Sequence, residues 1–164
     1  MALNTDRLKS LGDTIPGLYE KSGPAGVASV GVQKQITVPV GAPLLVDGVT
    51  YKGIVFVAPC DGCFIKELWL SAPVLIAGGT STLAIDNYDA SANAARNALS
   101  TTNVDPAVTP AVALEGSVLT LTTTLANRTM DEGDVLNFVL VCGTMTTDGQ
   151  GYALTATVIV PDIQ

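Results

Sequence analysis

Residues 152–160 read YALTATVIV, and in this run Leu154, Ala156 and Val158 occupy alternate positions. Successive side chains of an extended strand point to opposite faces of a sheet, so these three share one face. The run therefore predicts a β-strand that packs one face against a hydrophobic core. The preceding run, DVLNFVLVC at 134–142, is apolar on both faces apart from one asparagine, and it predicts a strand covered on both sides.

Other segments of the chain show the same β-type pattern and are separated by Gly, Asp and Pro turns. They are QITVPV (35–40), VTYKGIVFVA (49–58), CFIKELWLSA (63–72), STLAIDNY (81–88) and SVLTLTTTL (117–125), with LLV (44–46) as a short extra strand. The total is about seven or eight strands. This pattern predicts an all-β fold, an antiparallel β-sandwich that we expect to be jelly-roll-like.

The first 34 residues differ in composition from the rest, with five glycines and the breakers Pro16 and Pro24. We interpret 1–34 as an N-terminal arm and 35–164 as the sandwich domain. A short helix that ends at Gly12 is predicted within the arm. The arm is disordered, bound to a partner or packed on its own sandwich. Its apolar side chains are the candidate partner-binding residues: Leu3, Leu8, Leu11, Ile15 and Tyr19.

A long insertion, 89–116, interrupts the regular spacing of the strands. Its first part, DASANAARNAL (89–99), is rich in alanine and predicts a short helix, and Pro106 and Pro110 then favour extended chain. Long insertions between sandwich strands are frequent places for interfaces or function.

The composition indicates a surface that is covered by other protein. Charged residues make up 14% of the chain, against about 25% in a typical soluble domain, while 48% of residues are hydrophobic. A domain of 164 residues cannot bury so many apolar side chains in its own core. We therefore expect a structural protein that assembles with copies of itself, as a homotrimer, or with a larger particle.

The charges argue against two classes of partner. The net charge is −7, and the eight Lys and Arg residues are scattered along the sequence. Binding to nucleic acid or to an anionic membrane depends on clustered positive charge, so neither partner is expected. The start of the chain lacks the apolar stretch of a signal peptide, and no apolar run is long enough for a membrane helix, so synthesis in a host cytoplasm is expected.

The sequence contains one CxxC motif, Cys60-Asp61-Gly62-Cys63, and one further cysteine, Cys142. A structural zinc site needs four ligands, and the chain has no histidine to complete one. We favour two thiols that flank a hairpin turn, with a disulfide across the hairpin or a metal site as alternatives. No cofactor and no metal are expected.

Polar residues cluster in two turns, Asp131-Glu132-Gly133-Asp134 and the group Asp86, Asn87 and Asp89. We interpret both as solvated turns, with Ca²⁺ binding as the alternative. Without histidine, a Ser or Cys nucleophile lacks its usual base, so we expect no enzymatic activity. Trp69 lies inside an apolar run and is expected in the core or an interface. The alternative is a sugar-binding platform formed with the tyrosines Tyr19, Tyr51, Tyr88 and Tyr152.

Three segments carry a resemblance to a known class of proteins. They are FVAPCDGCFIKELWLSAP (56–73), TLAIDNYDASANAARNAL (82–99) and LANRTMDEGDVLNFVLV (125–141), and they follow a Gly/Pro-rich arm. In layout, residues 35–160 resemble the small β-sandwich head proteins of tailed bacteriophages, namely capsid decoration or cement proteins and related head-fibre domains.

The resemblance implies a non-enzymatic virion structural protein on the outer capsid surface. Such proteins often form trimers and bridge neighbouring subunits of the major capsid protein, which would be the partner here. One alternative is a receptor- or carbohydrate-binding module of a phage fibre or surface protein, favoured by a groove lined with exposed Trp or Tyr. The other is a small hydrolase, favoured by an isolated pair of buried carboxylates in a cleft.

Overall fold

The computed structural model describes residues 20–22 and 29–161, which form ten β-strands and one short 3₁₀ helix at Leu125–Asn127. The strands are β1 (Glu20–Ser22), β2 (Ser29–Pro39), β3 (Thr50–Val57), β4 (Cys63–Ser71), β5 (Thr82–Asp89), β6 (Ala94–Asn97), β7 (Ser117–Leu119), β8 (Thr129–Met130), β9 (Val135–Val141) and β10 (Ala153–Pro161). Within these ranges no helix is long and apolar enough to cross a membrane.

The strands form two antiparallel sheets that pack face to face as a β-sandwich. Sheet one has the order β1-β2-β10-β4-β7, with β8 also paired to β4, and sheet two has the order β3-β9-β5-β6. From β2 to β5 each successive strand crosses to the other sheet, and the chain crosses again from β8 to β9 and from β9 to β10. This double wrapping is the topology of a jelly roll. The predicted fold class is confirmed.

The core lies between the sheets and is formed by the alternate residues that the sequence pattern picks out. On β10, Leu154, Ala156 and Val158 are buried, and on β9, Leu136 and Leu140 are buried. Burying one leucine side chain contributes roughly 1.5–3 kcal/mol, so the two central strands supply much of the apolar stabilisation.

The segment SVLTLTTTL (117–125) forms a shorter strand than its alternation predicts. Strand β7 ends at Leu119, and Leu125 already belongs to the 3₁₀ helix. The chain leaves β4 because the backbone of Thr120 and Thr122 hydrogen-bonds instead to Ser100 and Ala98, at 2.9 Å each. The backbone groups that would have paired a longer β7 with β4 therefore bond to the 98–100 segment instead.

The helix predicted at 89–99 is wrong, because this segment contains a tight turn and strand β6. The carboxylate of Asp89 accepts hydrogen bonds from the Ala92 backbone N–H and the Ser91 hydroxyl, both at 2.8 Å. Its other oxygen pairs with Arg96. These contacts fix a hairpin between β5 and β6 and override the local helix preference of the alanines.

The sandwich begins earlier in the sequence than residue 35. Strand β2 pairs with β10 from Gly31 to Pro39, so the predicted boundary between 34 and 35 falls inside a strand. The candidate partner-binding residues and the predicted helix of the arm lie outside the described residues. The segment LLV (44–46) forms a single bridge, from Leu44 to Gln150, instead of a strand.

Candidate functional site

The outer surface of sheet one carries polar side chains beside half-buried Phe64 and Trp69 and the 52% exposed Val118. Lys66 Nζ donates to Gln33 Oε1 at 3.3 Å, and the hydroxyls of Thr37 and Thr155 are 2.8 Å apart. The Arg128 guanidinium lies 4.5 Å from the centre of the Phe64 ring and donates to the Ile65 carbonyl at 3.0 Å. Such charged and hydroxyl groups suit a surface that faces water.

On the outer surface of sheet two, half of the projecting side chains are aliphatic. We call this surface the sheet-two face. Strand register places these residues on it: Thr50, Lys52, Ile54 and Val57 of β3; Val135, Asn137, Val139 and Val141 of β9; Thr82, Ala84, Asp86 and Tyr88 of β5; and Ala95 and Asn97 of β6. Lys52 and Asp86 are the charged members of this set.

The most exposed aliphatic side chains of the sheet-two face lie at its β3 edge and at the end of β9. Ile54 is 62% exposed, Val57 50% and Val141 40%. Four strands at about 4.8 Å spacing and four rows at about 6.8 Å give a footprint on the order of 500 Å². The whole face, polar residues included, is thus smaller than the ~800 Å² that each partner buries in a specific interface, so an interface here would extend beyond it.

Sequence reasoning identified only one strand of this face. The two-sided apolar run at 134–142 predicted a covered outer surface, and Val135, Val139 and Val141 lie there. Ile54 and Val57 were not singled out, since a single exposed aliphatic residue is ordinary on a protein surface. Only the register of β3 against β9 shows that they continue the same surface.

Asp86 occupies the middle of the sheet-two face, between Asn97 on β6 and Asn137 on β9. Burial raises the pKa of its carboxyl above the usual value, because the ionised form loses hydration. A carboxyl whose folded-state pKa exceeds its unfolded-state pKa makes the folded state less stable as the pH rises through that interval.

The substitution Asp86→Asn is therefore expected to raise the free energy of unfolding at pH 7. The gain is less than about 1 kcal/mol, because the carboxylate keeps contact with water. It disappears below the unfolded-state pKa of about 3.9. Urea denaturation at acid and neutral pH measures it, with Glu67→Gln on sheet one as the control. An equal or lower stability of Asp86→Asn at pH 7 would contradict the prediction.

The CxxC motif occupies the turn between β3 and β4. The sulfur atoms of Cys60 and Cys63 are 3.9 Å apart. The Cys63 thiol donates a hydrogen bond to the Cys60 carbonyl oxygen at 3.3 Å. Burial, and then the neighbouring Cys60, raise the pKa of the Cys63 thiol to about 12. Burial also raises the pKa of Cys142. Thiols in this state are poor nucleophiles.

The interpretation of the polar clusters as solvated turns is wrong for four residues, because Asp86, Asn87 and Asp89 belong to strand β5 and Asp134 is buried. Asp134, Asp89 and Asn87 are buried, while Asp131 and Glu132 are exposed as expected. The Asp134 carboxylate accepts hydrogen bonds from the backbone N–H groups of Ala90 and Asp131, both at 3.0 Å. The Asp89 carboxylate is ion-paired with Arg96, and both carboxylates accept hydrogen bonds from backbone N–H groups. They therefore hold turns together and do not form a catalytic pair.

The asparagine of this buried group is only partly satisfied. Asn87 Nδ2 donates to the Thr129 carbonyl at 2.7 Å, and its Oδ1 has no hydrogen-bond partner. Among the described residues, no group of three or more Cys, Asp or Glu side chains is arranged to hold a metal ion.

The aromatic residues of the described ranges lie on different surfaces. Trp69 is half-buried on the outer side of sheet one, and Tyr88 lies on the sheet-two face. Tyr152 is buried, where its hydroxyl donates to the Pro106 carbonyl at 2.6 Å and accepts from the Ile76 N–H at 2.9 Å. Tyr152 thus anchors the insertion. Together these aromatic side chains do not form one platform for a sugar.

No family model and no curated protein matches the sequence. Among solved structures, a chain of the cyanophage Pam1 capsid asymmetric unit matches over 87% of this chain and 94% of its own, with 18% identity and a TM-score of 0.44. The carbohydrate-binding module CBM28, specific for non-crystalline cellulose, matches over 88% of this chain and 89% of its own, with 10% identity and a TM-score of 0.38. The chain is thus weakly similar in structure to a phage capsid chain and to a carbohydrate-binding module.

Proposed function

We propose that this protein is a non-enzymatic structural protein of a tailed-bacteriophage virion. In this proposal it decorates the outer capsid surface and cements it by bridging subunits of the major capsid protein. The observation that supports it best is that the outer surface of the sandwich leaves large aliphatic side chains open to water. On the sheet-two face these include Val57 and Val141, which are 50% and 40% exposed.

Attachment through the sheet-two face would be driven by burial of apolar surface. Half of the side chains of the face are aliphatic, so about 250 Å² of its footprint is apolar, which at 25 cal/mol per Å² corresponds to about 6 kcal/mol before the costs of association and ordering are subtracted. Because Lys52 and Asp86 are the charged residues of the face, screening by salt removes little of this free energy. A protein that binds only the assembled shell stabilises that shell by mass action.

The experiment is a comparison of phage particles that carry or lack this protein, prepared by deleting its gene. Particles that carry it are expected to release their DNA at a higher temperature than particles that lack it. Adding the purified protein back should restore the difference, and moderate salt should not strip it off.

Two outcomes count against the cement role. The first is that particles with and without the protein melt at the same temperature. The second is that moderate salt releases the protein from the particles. If deletion instead abolishes adsorption to the host and leaves capsid stability unchanged, the receptor- or carbohydrate-binding alternative is favoured.

A further inference from the structure

An exposed leucine projects from the insertion at the β4–β7 edge of the sandwich. Leu114 is 82% exposed and has a φ of 67°, a left-handed conformation that non-glycine residues adopt at a cost. Its backbone N–H donates to the Ala72 carbonyl at 2.9 Å, just beyond β4. The backbone is therefore fixed in a strained conformation that holds a large apolar side chain in water.

An open groove of about 490 Å³ with a mixed polar and apolar lining lies at the opposite edge, between the end of β2 and strand β3. Gly53 and Phe138 lie at its floor, where a Cβ atom on Gly53 would be 2.4 Å from Cε1 of Phe138, so the glycine lets the ring pack against the β3 backbone. Phe138 itself is 3% exposed, so the surface that a second molecule can contact comes from the walls of the groove. The walls come from β2, the following turn and β3: Val38, Pro39, Gly41, Ala42, Tyr51, Lys52 and Ile54.

The two features also carry opposite charges. Glu115 follows Leu114 in the chain and is exposed, and exposed Lys52 lines the groove. In the described part of the chain neither forms an ion pair; the ion pair seen there joins Arg96 and Asp89. A leucine with an adjacent carboxylate matches a partly apolar groove with an adjacent ammonium group.

Leu114 and the groove are on opposite edges of one sandwich, so they can meet only between two copies. A contact of this kind is head-to-tail, and it closes into a ring when the rotation between copies permits. We propose that Leu114 of one copy inserts into the Phe138 groove of the next, with Glu115 facing Lys52, and that three such contacts form the homotrimer. This inference rests on the self-assembly included in the proposed function.

The test uses one variant for each side of the contact. Leu114→Asp removes the inserted side chain, and Ile54→Asp places a carboxylate on the groove wall. Each is expected to weaken self-association by about ten- to a hundredfold, the effect of losing one buried aliphatic side chain. Leu125→Asp and Val32→Asp are the matched controls, since both residues are exposed and lie outside the contact and the sheet-two face. Circular dichroism verifies that every variant is folded.

A mixture of the two variants identifies the contact as head-to-tail. Sedimentation velocity should show trimers for the wild type and for both controls, and monomers for Leu114→Asp and Ile54→Asp alone. An equimolar mixture of the two should form heterodimers, because one intact groove can still accept one intact leucine. A wild-type monomer, a trimeric Leu114→Asp variant or a mixture that stays monomeric would each overturn the inference.

Charge reversal provides a second readout that a folding defect would not reproduce. Lys52→Glu and Glu115→Lys are each expected to weaken self-association several-fold, and the double variant should recover it. Failure of the double variant to recover would contradict the pairing of these residues. The proposed function is judged separately by attachment to particles: a monomer that still attaches overturns only the present inference, and a trimer that never attaches overturns only the cement role.

Discussion

Replacing Val57 and Val141 together by Asp is expected to abolish attachment of the protein to phage particles. Both side chains are exposed on the sheet-two face, at 50% and 40%, so the folded protein should lose no more than about 1 kcal/mol of stability. In an attached state each carboxylate would be buried without a partner, at a cost of several kcal/mol. A loss of about 2.7 kcal/mol in binding free energy already lowers the affinity about a hundredfold, so a larger loss is expected here.

Co-sedimentation with particles from the gene-deletion phage measures this affinity. Val32→Asp is the matched control, because Val32 has the same side chain and is 46% exposed, but lies on β2 of sheet one. The control should co-sediment as the wild type does. If the double variant also binds like the wild type, the sheet-two face is not the attachment surface.

The strands were predictable because their signal is local. Alternate apolar positions in the runs at 152–160 and 134–142 specify which face of each strand is buried, and β10 and β9 follow that pattern. The order of strands within each sheet depends on pairings between distant segments, such as β2 with β10. The jelly-roll expectation follows from the number and spacing of the strands, and those distant pairings confirm it.

The candidate site was predictable only in part, for the same reason. The two-sided pattern of 134–142 indicated a covered surface, but the neighbours that complete it come from β3 and β5. Leu114 has no sequence signal, because its left-handed backbone accompanies a hydrogen bond to Ala72, which is distant in the sequence. The close packing of the Phe138 ring at the floor of the groove likewise requires Gly53 to lie beside it in the adjacent strand.

The burial of charged groups was also not predictable from the local sequence. The sequence DEGD at 131–134 forms a turn, as its residue types indicate, and its first two members are exposed. Asp134 is nonetheless 1% exposed, because the turn between β5 and β6 packs against it from a distant part of the chain. A carboxylate can be buried there because backbone N–H groups replace its water.

Asp134→Ala is therefore expected to be among the most destabilising single substitutions in the chain. The carboxylate joins two turns, since it accepts the N–H of Ala90 after β5 and the N–H of Asp131 before β9. Its removal leaves both donors without their partner, at about 1–3 kcal/mol each. The expected loss is about 2–5 kcal/mol in the free energy of unfolding, measured by urea denaturation.

Two further substitutions distinguish the loss of the two Asp134 hydrogen bonds from a general effect of altering the turn. Asp131→Ala, in the same turn but exposed, should cost no more than about 0.5 kcal/mol, because its backbone N–H still reaches Asp134. Asp134→Asn keeps one acceptor oxygen and should fall between the two, since one N–H keeps its partner. If Asp134→Ala costs no more than Asp131→Ala, the two hydrogen bonds do not hold these turns together, and the stability of this end of the sandwich comes from its apolar core alone.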